Sequence, residues 1–130
     1  MRATYLDSSA IVKLVVAEPE SRALRAHLRR RRPLVSSALA RTEILRALLP
    51  SGEIALARGR EVLRRLDLVR INDRVLDMAG ILRPARVRSL DAIHLATAQL
   101  LGEDLGQVVT YDDQMVDAAQ SLGLTTTSPA

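Results

Sequence analysis

Four carboxylates stand where a folded chain can put them to chemical use. Asp7 closes the apolar run of "TYLDSSAIVKL", and Glu43 lies inside "SSALARTEILRALL". Asp91 follows Leu90 in "RSLDAIHLATA", and Asp112 follows a run of strand formers in "VVTYDDQM". Singly, each has an ordinary use. Asp7 can cap a helix, Asp91 can favour a helix dipole, and Asp112 can occupy a turn. Glu43 can pair with Arg46 for ~0.3 kcal/mol. Brought together they are costly, because two like charges about 4 Å apart repel by roughly 4 kcal/mol at an effective dielectric of about 20. Clustered carboxylates therefore take up protons or hold a cation. The chain has no cysteine, so an ion must be held by oxygen or histidine. An all-oxygen set selects Mg²⁺ or Mn²⁺ over zinc.

The elements that must position these acids alternate along the chain. Residues 3 to 7 read as a strand, and Ser8 and Ser9 are expected to cap a helix running to about Ala17. Pro19 suits the first turn of a helix through "ESRALRAHLRRR", which Pro33 ends. "PLVS" is a second strand before a helix over 37–49, and "PSG" at 50–52 is a break. A helix over 53–66 precedes the strand "DLVRI". Asp73 is expected to cap a helix over 74–82, closed by Pro84, and Ser89 to cap "LDAIHLATAQLLG". "QVVT" is a fourth strand, followed by a helix from Asp113 to Leu122, with Gly123 as its stop and "LTTT" as a fifth strand. The pattern predicts one α/β domain over 1–130, with a mostly parallel sheet of four to five short strands flanked by helices and a loose tail over 127–130. Open α/β sheets bind ligands at the carboxyl ends of their strands, and Asp7 and Asp112 fall there.

Composition narrows the function classes. At 130 residues the chain forms a single core. Hydrophobic residues make up 48% of it, with no Phe, no Trp and two Tyr, so base stacking on aromatic platforms is not its means of holding a nucleic acid. Net charge is +4, and of 19 basic residues only Lys13 is lysine. Arginine's planar fork matches phosphate and suits an RNA or DNA partner; GC-rich coding produces the same bias. The absence of cysteine agrees with a reducing compartment. The N-terminal apolar run is broken by Lys13 and falls short of the ~20 residues that span a bilayer. It also lacks the marks of an export signal. A cytoplasmic protein without a membrane partner is the expectation.

"YLDSSAIVKL", the glutamate of "RTEILRAL", "SLDAIHLATA" and "VVTYDDQM", in this order, resemble the four acidic motifs of PIN-domain ribonucleases, and in particular the VapC-type toxins of bacterial toxin–antitoxin pairs. The resemblance covers nearly the whole chain. It implies a PIN-like fold and a Mg²⁺-dependent endoribonuclease whose acidic pocket is Asp7, Glu43, Asp91 and Asp112. Asp7 and Asp91 would be direct metal ligands, with Glu43 and Asp112 acting through water or on a second ion. In that family's pattern the spacing from Thr110 implies Asp112 rather than Asp113, which is left as a helix cap. The resemblance further implies products with a 5′-phosphate and a 3′-hydroxyl, a tRNA or rRNA substrate, a cognate VapB-type antitoxin and a homodimer. The antitoxin would cover the pocket and bind the Leu-rich helices around "EILRALL" and "EIALARGREVLRRL".

Lesser candidates surround these acids. Ser8, Ser9 and Thr110 can hydrogen-bond a metal-binding carboxylate or a phosphate; capping and strand packing are their ordinary uses. His94, three residues after Asp91, reads as a packed histidine satisfied by a neighbour. Arg83, Arg86 and Arg88 precede Asp91 and are placed to touch substrate. Arg22, Arg25, Arg29 and Arg32 would share one helix face, as an RNA grip or a solvated stripe. Two rival readings stand beside the nuclease. One is a catalytically weak PIN-fold module that binds RNA or antitoxin. The other is a different Mg²⁺ enzyme, which fits less well: an aspartyl phosphatase wants a second aspartate where Ser9 stands, and a receiver domain wants a late strand-end lysine.

Overall fold

The computed structural model describes residues 2–130. In chain order the elements are β1 (Ala3–Leu6), α1 (Ser8–Val15), α2 (Ser21–Leu28), β2 (Leu34–Ser37), α3 (Ala40–Leu48), α4 (Glu53–Arg64), β3 (Asp67–Val69), α5 (Asp73–Gly80), α6 (Ser89–Leu100), β4 (Leu105–Val109), α7 (Asp113–Ser121) and β5 (Thr126–Thr127). The five strands form one parallel sheet in the order β3-β2-β1-β4-β5. The chain therefore builds outward from β1 in one direction, then crosses back to lay β4 on its other side. Leu6 pairs with Val109 at the carboxyl ends of β1 and β4. That junction is the topological switch point, where loops part to leave a crevice.

Successive side chains of a strand point to opposite faces, so the sheet is packed on both sides by three apolar clusters. Leu6, Leu34 and Val109 pack with Ile11, Leu24, Ile44 and Leu63 from α1 to α4. From the other face, Tyr5, Val35 and Val108 meet Ala98 of α6. Leu95 of α6 packs against Met115, Ala118 and Ala119 of α7. Ile11, Leu24 and Ile44 are fully buried, each contributing about 1.5–3 kcal/mol by leaving water. β1 is buried along its length, as a central parallel strand covered on both faces must be.

The caps differ from expectation in a consistent direction. Asp7, not Ser8 or Ser9, caps α1; its backbone is extended and its side chain accepts from the Ala10 N–H. Asn72 caps α5 in the same way, with Asp73 already helical. Arg88 stands at the cap of α6 without a side-chain bond, so Ser89 begins that helix. Asp112 caps α7, accepting from the Gln114 and Met115 N–H groups, and Asp113 is its first helical residue. The cap is the last extended residue, and its short oxygen reaches two to three residues forward; composition alone does not say which of two adjacent polar residues takes that position.

Several boundaries also differ: α3 begins at Ala40 rather than 37, because Ser37 completes β2, and α4 and α5 end at Arg64 and Gly80 rather than at 66 and 82. α1 ends at Val15 rather than Ala17. α2 ends at Leu28 rather than running on to Pro33, with Arg29 at its C-terminal cap and a turn closed by the Arg31 N–H to the Leu28 carbonyl at 3.2 Å. The C-terminal residues are tied down rather than loose: Thr127 pairs in β5, Ser128 Oγ donates to the Thr110 carbonyl at 2.5 Å, and the Tyr111 hydroxyl donates to the Pro129 carbonyl at 2.6 Å.

Candidate functional site

Asp7 leaves β1 at the switch point and is 3% exposed. Its Oδ1 accepts from Ser9 Oγ at 2.7 Å and from the Ala10 N–H at 3.1 Å. Oδ2 accepts from Thr110 Oγ1 at 2.5 Å. Ser9 Oγ in turn accepts from the Tyr111 N–H at 2.9 Å, and Thr110 Oγ1 from the Asp112 N–H at 3.1 Å. The clamp thus locks the first turn of α1 to the end of β4, and one hydroxyl from each side fixes the Asp7 carboxylate. Burial pushes the Asp7 carboxyl above its ordinary range despite these bonds and the nearby His94.

Glu43 is organised separately. Its Oε1 accepts from Ser8 Oγ and lies 2.6 Å from Nε2 of His94. Burial acts to raise the Glu43 carboxyl, but the bonds from His94 and Ser8 outweigh it and hold the group below its ordinary range. His94 is 2% exposed, and its Nδ1 lies 2.7 Å from the Tyr5 hydroxyl.

Asp91 and His94 are three residues apart on α6, hence on one face of the helix. Asp91 is half-buried, and its carboxyl is held above the ordinary range first by burial, then by the charge of Asp112, with Asp7 adding and His94 and Arg88 opposing. Asp7, Asp91 and Asp112 therefore share one field at the carboxyl end of the sheet, while Glu43 reaches it through Ser8 and His94. Among the described residues no three His, Asp or Glu side chains close into a metal cage. Mg²⁺ keeps several waters and is bound through one or two carboxylates. The all-oxygen donors and the mutual repulsion felt at Asp91 fit such a water-completed ion.

A cleft of about 250 Å³ opens beside Asp91, lined by Arg86, Arg88, Gln114, Met115 and Asp117. Arg83, expected with the other two arginines, instead lines a separate hollow with Leu76, Ile81 and Val87. The expected arginine face of α2 holds only in part, although the helix stops before Arg29. Arg25, Arg29 and Arg32 surround a hollow with Arg65 of the neighbouring segment, and Arg22 stands apart from it. Sequence reasoning passed over Asp117, Gln114 and Tyr5. Nothing local in the sequence marked Asp117 or Tyr5.

A parallel 3-2-1-4-5 sheet with acids gathered at its switch point defines a class, and comparison with known proteins agrees. The PIN domain family model matches residues 4–120, and the chain belongs to that family, in its VapC branch. It is 62% identical to Ribonuclease VapC46 of Mycobacterium tuberculosis, with all of both chains covered. It is 40% identical to Ribonuclease VapC35 and 35% identical to Ribonuclease VapC47 of the same species, over 96% of each chain. Among solved structures, Mycobacterium tuberculosis VapC20, a sarcin–ricin loop cleaving toxin, superposes with a TM-score of 0.78 at 13% identity, covering 97% of this chain and 99% of that one. A toxin–antitoxin complex from Klebsiella pneumoniae gives 0.76 at 19% identity, covering 98% of each. At those identities the likeness is one of fold.

Proposed function

We propose that this chain is a Mg²⁺-dependent endoribonuclease and the toxin of a toxin–antitoxin pair. One observation carries the reading: a buried carboxylate, Asp7, is clamped at the switch point within the field of Asp91 and Asp112, in a chain 62% identical to a VapC ribonuclease. Burying ionisable groups of one sign costs stability, and an ion-dependent activity is the function that rewards it.

Asp7 and Asp91 would hold the ion, with Glu43 and Asp112 acting through water. Held there, a divalent cation would supply counter-charge to the phosphodiester and acidify the attacking water. Ser9 and Thr110 keep Asp7 from turning away, and Ser8 does the same for Glu43. Arg86 and Arg88, in the cleft with Asp91, are placed to grip RNA phosphates. Asp112 has committed Oδ1 to the α7 cap, which leaves Oδ2 for the ion's waters. A tRNA or rRNA substrate, a homodimer and a cytoplasmic setting complete the reading. The VapB-type antitoxin would dock on α3 and α4, where Leu45, Leu49 and Leu56 line a hollow of about 580 Å³ rimmed by Arg41, Arg46 and Arg60.

The test is expression of the chain alone and beside its neighbouring gene, with cleaved RNA ends mapped. Growth arrest with new tRNA or rRNA ends, relieved by the neighbour and absent from Asp7→Asn, supports the reading. RNA binding that persists without any cleavage by the wild type would instead favour the weak binding module. Light scattering of the purified chain reads the dimer.

A further inference from the structure

The buried pair Tyr5 and His94 lies outside the four acids, yet both ring nitrogens of His94 are engaged. We infer that His94, held by the Tyr5 hydroxyl, is a positioning residue that fixes Glu43 so that one carboxylate oxygen is presented to the divalent-ion pocket. This rests on the proposed metal-dependent function and adds two residues to it.

The argument starts from donors and acceptors. The Tyr5 hydroxyl, 2.7 Å from Nδ1, donates to it, and a neutral imidazole that accepts at one nitrogen carries its proton on the other. Nε2 of His94, 2.6 Å from Oε1, is then the donor to the glutamate. Ser8 Oγ donates to the same oxygen, and Ser8 Oγ and Nε2 are themselves 3.3 Å apart. Both donors take Oε1, and no protein donor among the described residues engages Oε2. A carboxylate with one oxygen saturated and the other open is oriented as an ion-holding glutamate needs to be.

The rest of the geometry explains why the ring cannot turn. His94 Nδ1 lies 2.7 Å from the Tyr5 hydroxyl, and the two rings meet edge to face with centroids 5.8 Å apart at 76°. Tyr5 is 1% exposed in the central strand, so its hydroxyl is fixed by the sheet. Rotation of His94 would strand two buried polar atoms. The chain of contacts runs from β1 through α6 to α3 and back to the first residue of α1, tying four elements at the carboxyl end of the sheet. α6 thus delivers one acid directly, Asp91, and steers another, Glu43, from one face. Groups that orient metal-binding side chains in this way typically change metal affinity by about 10–100-fold when removed.

The experiment is Mn²⁺ titration of the full chain, read by electron paramagnetic resonance, on wild type, Asp7→Asn, Glu43→Gln, His94→Leu, His94→Gln and Tyr5→Phe, with folding checked by circular dichroism. His94→Leu is expected to weaken Mn²⁺ binding about 10-fold or more. His94→Gln, whose amide nitrogen sits as many bonds from the backbone as Nε2, is expected to restore most of it. Tyr5→Phe is expected to weaken binding about 3- to 10-fold, the worth of one hydrogen bond. A merely structural role would show a loss in His94→Leu that Gln does not rescue, and would overturn the inference. If His94→Leu does not fold, Tyr5→Phe decides, and wild-type affinity there overturns the inference. Failures are separable. Wild type and Asp7→Asn binding Mn²⁺ equally would refute the metal-dependent function itself. Weak binding by Asp7→Asn and Glu43→Gln beside unchanged binding by folded His94→Leu would sink only the role of His94. Unchanged binding by Glu43→Gln alone overturns the inference and leaves the Asp7 site standing.

Discussion

Replacing Asp7 separates what the fold needs at this position from what the chemistry needs. Asp7→Ala removes the α1 cap, worth about 1 kcal/mol. It also strips the acceptor from the hydroxyls of Ser9 and Thr110, at about 1 kcal/mol for each buried donor left unmade. The sum is a loss of about 3 kcal/mol, less whatever is recovered by deleting a buried charge. Asp7→Asn retains an oxygen for Ser9 and the Ala10 N–H, caps as well as aspartate, and turns its amide toward Thr110, whose oxygen can accept. It should lie within about 1 kcal/mol of wild type at neutral pH.

The pH dependence has a definite sign. Burial raises the Asp7 carboxyl above its ordinary value of 3.8, so the folded state binds the proton more tightly than the unfolded chain does. The Asp7 contribution to stability is then greatest below that value and falls as pH rises through the folded pKa. Asp7→Asn lacks this decline, and its standing against wild type improves with increasing pH. Urea denaturation followed by circular dichroism at several pH values measures both effects; for a domain of this size 1 kcal/mol corresponds to about 3–5 °C in Tm. Neither variant should cleave RNA. An Asp7→Asn protein as unstable as Asp7→Ala at neutral pH would refute the bonding argument, and full cleavage by either would refute the role given to the acid.

Saturating Mg²⁺ should raise Tm, since a ligand at 100 times its Kd stabilises by about 2.7 kcal/mol; differential scanning fluorimetry should show this shift in wild type and not in Asp91→Asn. Arg86→Ala and Arg88→Ala, which touch the cleft at Asp91, should raise KM for RNA and flatten its salt dependence more than Arg83→Ala does, because each lost phosphate contact lowers the salt slope by about 1. Gly59 faces α3, where an added Cβ would come 2.4 Å from Leu48 Cδ1. Gly59→Val should therefore cost about 1–3 kcal/mol by overpacking, seen as a lower urea midpoint with Mn²⁺ affinity preserved.

The sequence alone determined the alternation of strands and helices, because periodicity and turn residues act over a few neighbours. It also placed Asp7 and Asp112 at strand ends, since an acid that stops an apolar run must lie where the strand leaves the sheet. Asp91 was legible as a first-turn helical residue for the same local reason. The choice of cap was not legible, because Asp7, Ser8 and Ser9 compete for one position and backbone geometry selects among them. Only the tertiary structure decided which side chains hold the acids. Thr110 reaches Asp7 across 103 residues, and His94 joins Glu43 across 51 and Tyr5 across 89. A histidine on the inner face of "DAIHLATA" carries no mark of its partner; the crossing of β1, α3 and α6 at one end of the sheet supplies it. Arg83 parts from Arg86 and Arg88 for the same reason, since the loop before Asp91 turns it away from the cleft that they share with that acid.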